Sequence, residues 1–182
     1  MSKIKTFSVV LSLLVAFVTA ITTYIYLFAL YPLAYKQEIE TAGYIHHIHP
    51  SLIASVINEE SSFNNLSESR AGAIGLMQLM PQTAEWLASK LKIEYYKEKL
   101  YEPTYNINIG TYYLRYLLDE FGDEYTALCA YNAGEGQIKK WLLDTRFSSD
   151  NKTLQSTPFK ETNEYVYKVL LNKQKYSTRF EL

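Results

Sequence analysis

The chain has 182 residues, enough for one domain of ordinary size with a real apolar core. Its formal net charge of −1 offers no basic surface for a phosphate backbone, which argues against a nucleic-acid partner. The single cysteine, Cys129, permits no internal disulfide, so packing must hold the fold together. In the apolar run TALCAYNAG it reads as a small packed side chain rather than a nucleophile.

Charge is unevenly placed. Residues 1–35 carry only Lys3 and Lys5, and the run from Phe7 to Tyr35 holds no charge at all. About 20 apolar residues span a bilayer as a helix, whereas a secretory signal has an apolar region of about 7–15. Residues 1–35 therefore read as a cytoplasmic stub and single-pass transmembrane anchor, with Pro32 marking the helix exit. The lysines before the span, against the mixed KQEIE after it, favour a cytoplasmic N-terminus and an extracytoplasmic domain over residues 36–182. The competing reading is a secretory signal cleaved near Val18-Thr19-Ala20, which would release the domain.

Beyond residue 35 the pattern is helical. YKQEIETAGYIHH is a short amphipathic stretch, and Pro50 suits the first turn of a helix through SLIASVINEES. The polar SSFNNLSESRAG leads into GAIGLMQLM, whose glycines fit turns or a short hairpin. Pro81 opens PQTAEWLASKL. In NINIGTYYLRYLLDEF, residues Ile107, Tyr113, Leu114, Leu117, Leu118 and Phe121 share one side of a long core helix. TALCAYNAG and GQIKKWLL read as two helices broken near Gly134-Glu135-Gly136. Residues 145–158 are loop-like, and ETNEYVYKVLLNKQKY closes the chain with Tyr165, Val169 and Asn172 roughly in register. The predicted class is mainly α.

The adjacent glutamates in VINEESSFNN are the feature that bears on chemistry. The apolar stripe Ile53, Val56, Ile57 continues onto Glu60, while Glu59 falls nearer the polar edge and is expected to face outward. A carboxyl group on an apolar face has a raised pKa, which a general acid at neutral pH requires. Paired glutamates at a solvated helix end would look the same, so periodicity alone leaves both readings open.

The ordered set ESSFN, GAIGLMQLMPQTA, NINIGTYYL, AYNAGEGQIKKWL and ETNEYVYKVL, from about Tyr35 to Tyr176, resembles the lytic transglycosylases with a goose-type-lysozyme-like (SLT) catalytic domain. The resemblance implies cleavage of the β-1,4 bond between N-acetylmuramic acid and N-acetylglucosamine in peptidoglycan, without metal or other cofactor, leaving 1,6-anhydro ends. It implies that Glu60 is the general acid and then the base. Gln78 and Asn132 would bind sugar amide and hydroxyl groups, Met80 would pack on a sugar ring, and Tyr131 would help orient the acid. Ser61 and Ser69 are candidate polar contacts, and Glu161 is a candidate cleft glutamate or simply a helix-start carboxylate.

The chain departs from the family pattern at His49, where Asp is frequent, and at Glu135, where Pro is. The cluster His46, His47 and His49 lacks further ligands and is read as a solvated turn rather than a metal site. The expected partners are glycan strands and, through the anchor, a membrane; the expected state is a monomer. The alternatives are a lysozyme-type hydrolase drawing on Glu59, Glu68, Asp119 or Glu161, and an inactive glycan-binding scaffold.

Overall fold

The computed structural model describes residues 2–30 and 33–178, leaving out the side chains of residues 2–5 and 26–30. Pro32, expected to mark the helix exit, lies outside the described residues. The chain divides into two units at Leu33 and Ala34.

The first unit is one helix, α1 (Ser2–Leu30). Its stretch Thr6–Ile25, 20 residues with none buried, is long and apolar enough to cross a membrane.

The second unit is built from α2 (Lys36–His46), α3 (Pro50–Ser61), α4 (Pro81–Leu91), α5 (Pro103–Phe121), α6 (Glu124–Ala133), α7 (Glu135–Leu142) and α8 (Lys160–Ser177). A 3-10 turn, Lys97–Tyr101, precedes α5. Proline occupies the first turn of α3, α4 and α5, where its missing N–H has no helical partner to lose. Asp123 caps α6 by accepting the Thr126 N–H, and Gly122 ends α5 at φ 65°. The α6–α7 break falls at Gly134, with φ 89°.

The long helix α5 is the centre of the unit, packed against α2, α4 and α6, while α3 lies chiefly against α8. On α5 the buried face is Asn106, Ile107, Ile109, Gly110, Thr111, Leu114 and Leu117. Tyr113, Leu118 and Phe121, expected on that face, are only half-buried. Ile109 joins Ile74, Leu79, Ala84, Leu87, Ala88 and Leu100 in an apolar cluster behind the glycine-rich segment.

No strand forms among the described residues. Where a hairpin was expected, two isolated antiparallel bridges link Glu68 to Ile74 and Ile74 to Leu79.

The histidine turn is solvated only in part: His47 and His49 are exposed and His46 is not. His46 is buried, with Nε2 2.8 Å from Asn108 Oδ1 and its ring 5.6 Å from that of Tyr112. His49 caps α3, its Nδ1 accepting the Ser51 N–H at 3.2 Å. The cap geometry gives this imidazole the role a short acceptor side chain such as Asp takes at helix starts. Cys129 is buried, and burial pushes its thiol up to about 12, which leaves it unreactive at neutral pH.

Candidate active site

Helix α3 places Glu60 one turn beyond Ile53, Val56 and Ile57, all fully buried. Burying each of these side chains contributes roughly 1.5–3 kcal/mol, which locks the face that Glu60 continues. The helix stops directly after it. Ser62 and Phe63 both adopt left-handed conformations, at φ 50° and 63°, and the Ser62 N–H bonds to the Asn58 carbonyl at 3.0 Å. Two successive non-glycine residues in that region are costly, and they persist because the Phe63 ring is buried, 6.1 Å from that of Tyr176.

The segment facing the acid is fixed from three helices. The Ser61 hydroxyl, from α3, donates to the Leu76 carbonyl at 2.8 Å. Asn106, from α5 and fully buried, accepts the Met77 N–H at 2.8 Å and donates to the Ile74 and Leu100 carbonyls at 2.9 and 2.8 Å. The Tyr131 hydroxyl, from α6, donates to the Met77 carbonyl at 2.8 Å. The backbone passes so close here that a Cβ on Gly75 would meet the Leu100 carbonyl at 2.2 Å. One on Gly110 would meet the Met77 sulfur at 2.4 Å.

Glu60 is the perturbed acid of the site. Burial raises its carboxyl from 4.5 to about 7, and the neighbouring Glu59 charge adds to the rise. Tyr165 of α8 opposes the rise by more than the Glu59 charge adds to it; its buried hydroxyl faces Glu60 yet makes no hydrogen bond of normal geometry. Burial and the Glu60 charge push both Tyr131 and Tyr165 well above the usual phenol range, so both stay neutral donors.

Glu59 does not face outward as its place on the helix suggests. Its Oε1 accepts from Asn172 Nδ2 at 2.6 Å, and Oε2 lies 3.9 Å from Lys168 Nζ. Helix α8 covers the polar edge of α3, which periodicity within α3 cannot register.

The remaining predicted residues divide by geometry. Ser61 is buried, and its hydroxyl donates to the Ile57 and Leu76 carbonyls, which ties α3 to the Leu76 turn. Ser69 closes the tight turn before Ala73, accepting its N–H at 3.0 Å. Gln78, at φ 47°, donates its amide to the Ser67 and Gly75 carbonyls. The Tyr131 proton goes to Met77 rather than to Glu60. Asn132 is exposed and accepts from the Thr162 hydroxyl at 2.8 Å. Met80 is 41% exposed at the start of α4. Glu161 is exposed in the first turn of α8 and is not among the groups that shift Glu60.

Three residues of the site were given no site role from sequence: Asn106, and Tyr165 and Asn172, which were read only as in register on the last helix. Each is a polar group on an apolar helical stripe, which was the available signal. A cavity of about 960 Å³ lies between α2 and α5 and is lined by Glu38, Ile45, Glu94 and Tyr105 among others. Neither Glu60 nor any residue bonded around it lines that cavity. The site is therefore defined by the perturbed acid and not by that cavity.

A helical unit with a half-buried carboxylic acid at a helix C-terminus, beside a turn pinned from three helices, fits a lysozyme-like domain. The chain belongs to the transglycosylase SLT domain family, which it matches over residues 37–154. It is 38% identical over 144 residues to the soluble lytic murein transglycosylase of Salmonella typhimurium, covering 77% of this chain and 22% of that protein. It is 34% identical over 152 residues to the membrane-bound lytic murein transglycosylase C of Haemophilus ducreyi, covering 71% and 41%. Among solved structures it resembles an inactive glutamate-to-glutamine mutant of lytic transglycosylase Slt from Pseudomonas aeruginosa. That likeness has a TM-score of 0.74 and 32% identity, over 83% of this chain and 25% of that one.

Proposed function

We propose that this chain is a peptidoglycan lytic transglycosylase, held at the cell membrane by α1, that cleaves the bond from N-acetylmuramic acid to N-acetylglucosamine without water. The observation that carries the reading is Glu60: a half-buried carboxyl at the end of α3, raised to about 7 by desolvation, in a chain of the SLT family. The inactive Pseudomonas mutant supports it, because a glutamate-to-glutamine change accompanies loss of activity in that relative.

With its carboxyl near neutrality, Glu60 can give and take a proton within one cycle. As acid it protonates the glycosidic oxygen, and the bond from C1 to that oxygen breaks. The N-acetylglucosamine 4-hydroxyl leaves, and the sugar's own acetamido oxygen stabilises the charge at C1. As carboxylate, Glu60 then takes the proton of the C6 hydroxyl, whose oxygen closes on C1 to give the 1,6-anhydro ring. Glu60 ends protonated, ready for the next bond. The reaction needs no metal, because the proton transfers and the internal nucleophile suffice. Internal attack replaces activated water and is worth roughly 7–11 kcal/mol at best.

One carboxylate suffices here, where most glycosidases need two. The other candidates for a second role are engaged or remote from it. Glu59 is bonded to Asn172, Glu68 accepts from Tyr101, Asp119 pairs with Arg115, and Glu161 is exposed. Around Glu60, Gln78, Met80, Tyr131 and Asn132 form the glycan-facing set. Ser61, Ser69 and the bonds of Gln78 to the backbone hold its frame.

On this reading Lys3 and Lys5 lie on the cytoplasmic side and residues 36–182 outside it. The test is mass spectrometry of muropeptides after digestion by the purified protein and by Glu60→Gln. Anhydro ends that vanish in the variant are expected. Reducing ends at the same bond would instead assign a hydrolase, and binding without cleavage by the unaltered protein would assign a scaffold.

A further inference from the structure

Helix α8 presents one face to both glutamates. Tyr165, Lys168 and Asn172 recur at intervals of three and four residues, so they project from the same side of the helix. Tyr165 lies against Glu60, while Asn172 donates to Glu59 at 2.6 Å and Lys168 stands 3.9 Å from it. Tyr176, one turn further along α8, backs the Phe63 ring that fixes the end of α3. The clamp therefore acts on the turn that carries Glu60.

We propose that Glu59 is a positioning residue for cleavage: anchored to α8 through Asn172, it fixes the last turn of α3 and holds a negative charge beside Glu60. The inference rests on Glu60 being the acid, as proposed above. The groups facing Glu60 are Glu59 from α3, Tyr131 from α6, and Tyr165 with Lys168 beyond it from α8. Both tyrosines stay neutral, and the Lys168 head is largely exposed, so its distant ion pair is weak. Glu59, once ionised, is thus the charged neighbour that acts on the acid. Burial raises its own carboxyl above the usual carboxylate value, and Lys168, Asn172 and Asn58 offset only part of that rise. A negative neighbour keeps Glu60 protonated to higher pH, which is the state that begins the reaction.

The test is the pH profile of glycan cleavage by the full chain, for Glu59→Gln and Glu59→Asp. Glutamine can still accept the Asn172 bond but carries no charge; aspartate keeps the charge. Without the charge Glu60 loses its proton at lower pH, so the alkaline limb should move to lower pH. The loss in Glu59→Gln is then several-fold greater at about pH 8 than at about pH 5, and Glu59→Asp keeps the limb in place. A Glu59→Gln profile that superimposes on the unaltered one would overturn the inference. So would equal losses at every pH in both variants with a lowered melting temperature, since that is a purely structural effect. Full activity in Glu60→Gln would instead overturn the assignment of the acid, which separates the two failures.

Discussion

Glu60 carries two opposing consequences of its burial: a proton poised for transfer and a cost to the fold. The rise from 4.5 to about 7 corresponds to roughly 3 kcal/mol between the protonated and ionised forms. The sign follows from linkage. Below about pH 4.5 the carboxyl is protonated in both folded and unfolded chains, and nothing is lost. As pH climbs towards 7 the unfolded chain releases a proton that the folded chain keeps, so stability falls, with the full penalty above about 7. Glu60→Gln should therefore melt close to the unaltered protein at about pH 4 and above it at about pH 8. Thermal denaturation at the two pH values checks this; an equal gap at both would mean that the buried charge is not the cause. The position of Glu60 was legible because the stripe Ile53, Val56, Ile57 lies on its own helix. The orientation of Glu59 was not, because its partner Asn172 stands on α8 at the far end of the sequence.

Elements were legible where local chemistry ends them. Pro50 and Pro81 open helices, and Gly134 separates α6 from α7, since proline and glycine set backbone conformation without tertiary help. The turn at residues 74–78 was visible only as a run of glycines. Its shape depends on Asn106, whose side chain takes up one N–H and two carbonyls from outside α5. Asn106→Ala removes those partners in a buried place, and we expect a loss of roughly 2–4 kcal/mol in denaturant unfolding. Cleavage should fall as well, because Met77 also receives the Tyr131 hydroxyl beside the acid. Gly110→Ala drives a methyl group into Met77 and should cost about 1–3 kcal/mol. Neutral behaviour of both variants would show that the turn is held by other means. The burial of His46 belongs to the same class of hidden feature, since its partner Asn108 comes from α5.

At the scale of the whole molecule, the chain combines an apolar helix with a separate helical unit that has its own core. On the proposed reading the first part confines the second to glycan near the membrane. Deleting residues 1–33 should move the protein from the membrane to the soluble fraction, with cleavage of isolated glycan strands retained; fractionation after an alkaline wash reads this out. A deletion variant that stays in the membrane fraction would mean that α1 is not the anchor. The most direct test of the central claim is cleavage by the full chain in water enriched with heavy oxygen, followed by mass analysis of the new muramic acid ends. The account predicts anhydro ends one water lighter than reducing ends and free of label. Labelled reducing ends would show that water, not the C6 hydroxyl, attacks C1, and would contradict it.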